Sequence, residues 1–234
     1  YITETLRSVL HQTHKEIEVI IVDDGSTDEW DKNALWINDK RVRLFKLKQN
    51  RGIVDALNIG LYQARGEFIC RIDADDIMSQ HRISRQLVLL NDFPEVDVVG
   101  SNYSTIDENG NILANAKLPR SAWSIDIHLC IFGYVAVGHP FTLIRRRAIE
   151  NVNGYAERFN RLGMEDFDLW LRMRSAGSHF INSTERLTKY RIHKKQLTAI
   201  ASVATLEAKR IAWGDFLEKN IGSGAILRQS NSTW

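Results

Sequence analysis

Hydrophobic positions in the first hundred residues follow two alternating patterns. Short, nearly continuous apolar runs, typical of strands covered on both faces, occur at residues 17–22, 42–47 and 68–72. Between these runs apolar residues recur every three or four positions, which predicts helices at residues 1–13, 29–37 and 53–64. Helices and strands that alternate with short connections predict a parallel sheet flanked by helices. The predicted fold class is therefore α/β.

The second half of the chain contains shorter elements in a less regular order. Helices are predicted at residues 81–90, 121–130, 165–176 and 200–221, and strands at residues 96–100, 141–144 and 187–192. Two apolar segments, 103–106 and 112–114, flank an Asn-Gly pair, which is a hairpin signal. We therefore expect a small antiparallel portion beside a mostly parallel central sheet.

Composition narrows the class of protein. The 234 residues suffice for one sizeable domain with an appendage, and the net charge of +2 gives no bulk attraction to nucleic acid. The two cysteines, Cys70 and Cys130, suit a reducing compartment better than a disulfide-stabilised scaffold. No apolar run reaches the length of a membrane span. We expect a cytoplasmic protein that binds no nucleic acid. The helical spacing of the first residues also predicts that a strand preceding them is missing.

Three aspartates crowd the carboxyl end of the predicted strand at residues 68–72. Asp73, Asp75 and Asp76 would repel one another there and would be costly to remove from water. A divalent cation offsets such repulsion, and carboxylate oxygens suit Mn²⁺ or Mg²⁺. Ligands of open α/β sheets also bind beyond the carboxyl ends of the strands. The pattern favours a metal site, with a solvated acidic turn as the alternative.

Two acidic pairs and one histidine have both structural and chemical interpretations. Glu165 and Asp166 begin a predicted helix, where the helix dipole favours carboxylates whether or not one acts as a general base. Asp23 and Asp24 end a predicted strand and suit either a capping turn or hydrogen bonds to a base or a ribose. His193 ends the last predicted strand, as a structural residue or as a nitrogen ligand of the metal.

Several other catalytic templates are absent from the sequence. It contains no Walker A loop and no GxGxxG segment after a predicted strand. It also contains no GxSxG elbow and no cysteine–histidine spacing typical of zinc sites. Phosphate-loop, Rossmann, serine-hydrolase and zinc-dependent chemistries are therefore disfavoured.

Five segments match one known family, in the same order along the chain. They are EVIIVDDGSTD at 18–28, NRGIVDALNIGLYQARGEFICRIDADD at 50–76, HPFTLIRRRAIENVNGY at 139–155, MEDFDLWLRM at 164–173 and YRIH at 190–193. On these motifs the sequence resembles the family-2 inverting glycosyltransferases of GT-A fold, in particular the non-processive bacterial enzymes that build surface polysaccharides. The QxxRW motif of processive synthases is absent.

The resemblance implies a nucleotide-sugar site in the first half of the chain. Asp24 matches the residue that hydrogen-bonds the uracil of a UDP-sugar. Asp23 and the Asn50-Arg51 pair match neighbours of the nucleoside and the diphosphate. Asp73 matches the residue that approaches the ribose.

The resemblance also implies the metal ligands and the catalytic base. Asp75 matches the metal ligand of the DxD motif, and His193 matches a residue that joins the metal or diphosphate site. Asp166 matches the general base, with Glu165 beside it on the acceptor side. The implied cofactor is Mn²⁺ or Mg²⁺.

The implied function is the metal-dependent, inverting transfer of a sugar from a nucleotide-diphosphate donor, expected to be a UDP-sugar, to a hydroxyl of a saccharide or lipid-linked acceptor. The implied catalytic domain spans residues 1–198, with a nucleotide-binding half at 1–100 and an acceptor-binding half at 101–198. Residues 199–234 form a helical tail that either packs on this domain or contacts the inner face of the cell membrane. The alternatives are a sugar-1-phosphate nucleotidyltransferase, whose phosphate loop this sequence lacks, and a non-catalytic nucleotide-sugar-binding subunit.

Overall fold

A computed structural model describes residues 1–28, 30–31, 35–193 and 203–221. The chain begins with α1 (Ile2–Leu10), which buries Leu6 and Val9. Strands β1 (Val19–Asp23) and β2 (Val42–Lys46) then form a parallel pair, with Val19 opposite Val42 and Asp23 opposite Lys46. The helix α2 (Ile53–Gln63) packs against β1. These elements confirm the order predicted for the start of the chain.

The helix predicted at residues 29–37 is described only in part. A short 3₁₀ turn spans Leu35–Asn38. Residues 29 and 32–34 lie outside the described residues. That prediction is therefore tested only at its end, where the turn is tighter than an α-helix.

Six further strands form the main sheet of the described chain. In chain order they are β3 (Phe68–Cys70), β4 (Ile77–Met78), β5 (Val96–Ile106), β6 (Ile112–Ala116), β7 (Leu143–Arg145) and β8 (His179–Arg191). Across the sheet the order is β3, β7, β5, β8 and β4, and β6 pairs with β5. The longest pairing, between β5 and β8, is parallel, and the shorter pairings in this sheet are antiparallel. The expected α/β fold with antiparallel parts is confirmed.

Two strands are longer than the sequence predicted. β5 continues without a break through the segment assigned to a separate hairpin strand, and Asn102, Ser101 and Ser104 are buried along it. β8 begins at His179, eight residues before the predicted strand at 187–192. Polar residues interrupt the apolar pattern in both places. The amide of the buried Asn182 donates to the backbone oxygens of two loop residues, Pro119 and Ala136, at 2.7 and 2.9 Å.

Five more helices cover the sheet. They are α3 (Arg82–Asp92), α4 (Ala122–Asp126), α5 (Arg146–Glu150), α6 (Glu165–Ser175) and α7 (Val203–Ile221). The helix predicted at 121–130 is α4 followed by a wider turn of π type at Ile127–Ile131. α6 is central, because Phe167, Leu169, Trp170 and Met173 are all fully buried in the main core.

A fully buried arginine joins the loops around the strand ends. The Arg82 guanidinium donates to the backbone oxygens of Arg71, Pro140 and Thr142 at 2.7, 2.9 and 3.0 Å, and to the Thr188 hydroxyl at 3.2 Å. Buried polar groups without partners cost free energy, so these bonds offset the burial of the Arg82 charge and satisfy carbonyls that belong to no strand pair. Arg82 thereby fixes the loops that follow β3 and precede β7.

The tail helix α7 packs on the rest of the described chain. Ala208, Ala212 and Phe216 are buried in the main core. The indole N–H of Trp213 donates to the Cys130 oxygen at 3.1 Å, and Asn220 donates to the Ser175 hydroxyl at 2.8 Å. This packing favours the first of the two interpretations of the tail.

Not all apolar residues of α7 lie on its buried face. Val203 and Leu206 are 85% and 62% exposed, and Ile211 is 40% exposed. Residues 194–202 and 222–234 lie outside the described part of the chain. None of the helices described has the length and hydropathy of a membrane span.

We expect Phe216→Ala to lower the free energy of unfolding by about 3–5 kcal/mol, because it removes a buried ring and leaves a cavity between α7 and the core. The matched control is Leu206→Ala on the exposed face of the same helix, which should change stability by less than about 0.5 kcal/mol. Denaturant unfolding measures both. Equal small effects would show that α7 contributes nothing to the core.

Candidate active site

The DxD loop and the end of β8 meet at one edge of the main sheet. β3 ends at Cys70, and the chain then carries Asp73, Asp75 and Asp76 toward the start of α3. The Nε2 atom of His193, two residues beyond β8, lies 2.8 Å from the Asp75 carboxylate. The predicted metal ligands, which are 118 residues apart in the sequence, are therefore in contact.

Asp76 differs from the other two acids of the loop. Its side chain is fully buried, one oxygen accepts the Arg191 N–H at 2.9 Å, and the other has no hydrogen-bond partner among the described residues. Burial, reinforced by the charges of Asp73 and Asp75, raises the pKa of Asp76 to about 8 even though the Arg191 N–H opposes the shift. Asp76 is therefore mostly protonated at pH 7.

Arg191, in the YRIH segment, fixes the backbone of the Asp73–Asp76 loop, a role that the sequence did not predict. Its guanidinium is 1% exposed and donates to the backbone oxygens of Asp75, Asp107 and Glu108 at 2.8, 3.1 and 3.1 Å. It also forms an ion pair with Glu4 of α1. The sequence signal was a charged residue inside an otherwise strand-like segment, two positions before His193.

A second arginine, Arg71, interacts with both the Asp73–Asp76 loop and the acidic pair of α6. Its guanidinium forms an ion pair with Asp73 and is mostly buried. Its charge acts on Glu165 and Asp166, whose pKa values it lowers against larger opposing effects. The Arg71 Nε–H has no partner among the described residues. The two acidic clusters thus share one buried positive charge.

The acidic pair occupies the first turn of α6, as predicted. Glu165 is buried, one of its oxygens lacks a partner among the described residues, and burial raises its pKa. Asp166 is half-buried; its desolvation and then the neighbouring Glu165 raise its pKa to about 7, while the Phe167 N–H, 2.7 Å from its carboxylate, opposes the shift. Asp166 therefore has the pKa of a base that works near neutral pH.

A neutral histidine–tyrosine pair supports this corner of the site. His139 Nε2 and the Tyr155 hydroxyl are 2.8 Å apart, and both side chains are 5% exposed. Burial lowers the pKa of His139 well below its ordinary value, and the Arg71 charge adds to this effect. The Tyr155 backbone is fixed in turn by Asn58 of α2, which accepts its N–H and donates to its carbonyl, both at 2.9 Å.

Four of the five predicted nucleotide-binding residues, Asp23, Asp24, Asn50 and Arg51, lie together beyond the end of β1, whereas Asp73 lies in the loop after β3. The Asp24 carboxylate accepts the backbone N–H groups of Arg51 and Gly52 at 2.7 and 2.8 Å. Asp23 accepts the Ser26 N–H at 2.8 Å and the Trp30 indole N–H at 3.0 Å. Asp23 thus stabilises the turn that follows β1, and Asp24 stabilises the loop that precedes α2. Each carboxylate keeps lone pairs that can accept hydrogen bonds from a ligand.

Burial opposes the hydrogen bonds that Asp23 accepts, but these bonds and the Lys46 charge prevail and lower its pKa. Asp23 is therefore ionised at pH 7. The capping interpretation of this acidic pair therefore holds for Asp23, whereas Asp24 binds a loop that is 27 residues later in the chain.

The loop that carries Asn50 and Arg51 is shaped by a glycine. Gly52 has φ +98, and a Cβ atom there would lie 2.2 Å from Oδ1 of Asn160. Asn160 uses that oxygen to accept the Val54 N–H at 3.2 Å and its amide to donate to the Arg51 oxygen at 2.8 Å. The close approach therefore ties the start of α2 to the loop before α6.

Cavities on the described surface do not single out this site. One of about 490 Å³ lies beside His193 and the Asp107–Asn109 turn. A larger one, of about 900 Å³, lies between α3, α4 and the first half of β8, away from the acidic clusters. No three His, Cys, Asp or Glu side chains in the described part of the chain are grouped as a metal site by themselves. Any cation at Asp75 and His193 would need ligands from water or substrate.

Comparison with known proteins gives the family. The family described as "Glycosyl transferase family 2" matches residues 1–152, and "N-terminal domain of galactosyltransferase" matches residues 133–196. An uncharacterized glycosyltransferase of Rickettsia prowazekii is 32% identical over 94% of this chain and 68% of its own length. One of Rickettsia conorii is also 32% identical over 94% of this chain, which covers only 36% of that relative.

A solved structure has the same fold. Residues 1–349 of S. aureus TarS, crystallised in complex with UDP-GlcNAc, superpose with a TM-score of 0.69 at 19% identity, over 95% of this chain and 69% of that one. Together with the family match over most of the chain, this shows that the protein is a transferase of GT-A fold that belongs to glycosyl transferase family 2.

Proposed function

We propose that this glycosyltransferase moves a sugar from a UDP-sugar to a hydroxyl of a saccharide or lipid-linked acceptor with inversion of configuration, using Mn²⁺ or Mg²⁺. The observation that carries the proposal is the contact between Asp75 and His193 at 2.8 Å, next to an acidic pair that shares Arg71 with the same loop. The donor assignment gains support from the shared fold with TarS, which was crystallised with UDP-GlcNAc.

The donor set at Asp75 fits a divalent cation. A carboxylate oxygen and an imidazole nitrogen face each other at a strand end, and Mn²⁺ and Mg²⁺ commonly combine one or two protein ligands with water and substrate phosphate. A metal bound there would neutralise negative charge on the departing diphosphate. Asp73, held by Arg71, is proposed to contact the ribose. Asp23, Asp24, Asn50 and Arg51 are proposed to line the nucleoside and diphosphate pocket.

Asp166 is the proposed general base. Its carboxylate accepts the proton of the acceptor hydroxyl while that oxygen forms a bond to the anomeric carbon. The bond from this carbon to the diphosphate breaks on the opposite face, and UDP leaves with the electron pair. Such general-base assistance typically contributes about 10²–10⁴-fold in rate. Glu165, beside Asp166, is proposed to face the acceptor and keeps the Asp166 pKa high.

Two alternatives receive less support. A sugar-1-phosphate nucleotidyltransferase is disfavoured by the family match, and a non-catalytic binding subunit is disfavoured by the contact between Asp75 and His193 and by the near-neutral pKa of Asp166. UDP release on mixing UDP-sugar, Mn²⁺ and acceptor discriminates a transferase from both.

We also propose that residues 1–198 are the catalytic unit, and that the enzyme acts in the cytoplasm in polysaccharide synthesis.

Asp75→Asn should weaken UDP binding only when Mn²⁺ is present, because an amide oxygen is a poorer ligand for a hard cation than a carboxylate. Calorimetric titration of UDP with and without Mn²⁺ measures the effect, and transfer should be nearly abolished. Asp92→Asn, on the exposed end of α3, is the control. An unchanged metal-dependent affinity in the Asp75 variant would refute the ligand assignment.

Asp166→Asn should reduce turnover by at least about 100-fold while UDP affinity is retained, because the change removes only the proton acceptor. UDP-release kinetics and UDP titration measure the two effects. If turnover persists within a few-fold, Asp166 is not the base, and Glu165→Gln tests the next candidate.

The wild-type pH profile is an independent check on the same base. Because Asp166 must be ionised to act and its pKa is about 7, kcat/KM should rise as pH increases through about 7. A profile that is flat from pH 5 to 8, a range that brackets this pKa, would contradict the assignment.

Peripheral membrane contact through residues 199–234 remains a proposal. Its support is that α7 leaves Val203 and Leu206 exposed while its opposite face is packed. Substituting both by Ser should abolish sedimentation with anionic liposomes, since apolar insertion drives interfacial binding. The control is the substitution of Ile112 and Leu113 of β6, which are 59% and 57% exposed. Sedimentation that is absent from the wild type, or equal in all three proteins, would refute contact through α7.

A further inference from the structure

Arg161, in the loop that leads into α6, has an unusual backbone conformation. Its φ is +66°, in the left-handed region that non-glycine residues seldom adopt. It follows the 3₁₀ turn Glu157–Phe159 and lies four residues before the start of α6, with Gly163 between them. Strained backbone persists where surrounding contacts impose it. The contacts of Arg161 therefore indicate why its backbone adopts this conformation.

Those contacts join the loop that contains Arg161 to the Asn50-Arg51 turn, which is part of the proposed donor site. The Arg161 Nη2 group donates to both the backbone oxygen and the side-chain oxygen of Asn50, at 2.9 and 3.1 Å. The preceding residue, Asn160, donates to the Arg51 oxygen and accepts the Val54 N–H. The conformation of Arg161 thus directs a guanidinium from the acceptor half onto the Asn50-Arg51 turn, more than 100 residues earlier in the chain.

Arg161 differs from two nearby arginines in having no carboxylate partner among the described residues. Arg51 pairs with Asp55 at 2.6 Å, and Arg158 pairs with Asp215 at 2.8 Å and Asp168 at 3.4 Å. Within the described ranges no carboxylate oxygen lies within 4 Å of the Arg161 guanidinium, whose two hydrogen bonds to described residues reach neutral oxygens of Asn50 through Nη2. The group is exposed and retains N–H donors on Nε and Nη1.

We propose that Arg161 binds the diphosphate of the nucleotide-sugar donor, with Asn50 as the residue that positions it. An uncompensated guanidinium beside the Asn50-Arg51 turn suits a phosphate, because its planar N–H groups form charge-assisted hydrogen bonds with phosphate oxygens. The inference rests on the proposed function. It adds a residue from the loop before the catalytic helix to the donor site, so that the donor itself bridges the two halves of the enzyme.

Calorimetry with UDP and Mn²⁺ tests the proposal, beside ligand-observed NMR titration with uridine, which lacks phosphates. Arg161→Ala should weaken UDP binding by about 10-fold or more, the loss expected for a charge-assisted hydrogen bond, and leave uridine affinity unchanged. The UDP affinity of Arg161→Lys should lie between those of the wild type and Arg161→Ala, since lysine keeps the positive charge but lacks the planar pair of guanidinium donors. Arg147→Ala, which removes an arginine that is 74% exposed on α5, is the matched control and should bind both ligands as the wild type does.

Two results would overturn the inference. UDP affinity within twofold of wild type in Arg161→Ala would show that the guanidinium does not contact the diphosphate. Equal weakening of UDP and uridine would show that Arg161 only holds the Asn50 turn in place. A wild-type protein that binds no UDP would instead refute the proposed function itself, and with it this inference.

Discussion

The structure depends on how negative charge is balanced where β3, β8 and α6 converge. Five carboxyl groups, from Asp73, Asp75, Asp76, Glu165 and Asp166, are gathered in a region that is largely removed from water. Buried like charges raise each other's pKa, so the arrangement is stable only if some groups are neutral and others are paired. Asp76 is mostly protonated, Arg71 serves both clusters, and Arg191 donates to the backbone of the loop from behind.

The same balance distinguishes two carboxyl groups for different tasks. Asp75 contacts His193, and 24% of its side chain is exposed. Asp166 lies beside Glu165 on the first turn of α6, where burial rather than a partner cation decides its protonation. The helix dipole at that end favours the ionised form, so the near-neutral pKa reflects desolvation strong enough to exceed that effect. This difference is the basis for proposing Asp75 as a metal ligand and Asp166 as the general base.

Local pattern predicted the positions of the acidic clusters and of most strands, because those signals lie in short continuous segments. It also placed Asp166 at a helix start, as found. Tertiary effects could not be seen in the same way. Arg71, Arg82 and Arg191 resemble surface residues in the sequence, yet little of each side chain is exposed. The guanidinium groups of Arg82 and Arg191 bind oxygens from distant segments, and that of Arg71 pairs with Asp73. The early part of β8 was missed because its buried Asn182 breaks the apolar pattern, and the acceptors for its amide N–H groups come from loops far away in the chain.

The Arg82 hydrogen bonds have a consequence for the local stability of the enzyme. Its guanidinium donates to carbonyls that follow β3 and precede β7, and to a hydroxyl near the end of β8. If one of these segments is displaced while the others stay packed around α3, the buried guanidinium loses hydrogen-bond acceptors, which costs free energy. The loop after β3, the loop before β7 and the end of β8 are therefore coupled through Arg82, so that local opening of one of them destabilises the other two.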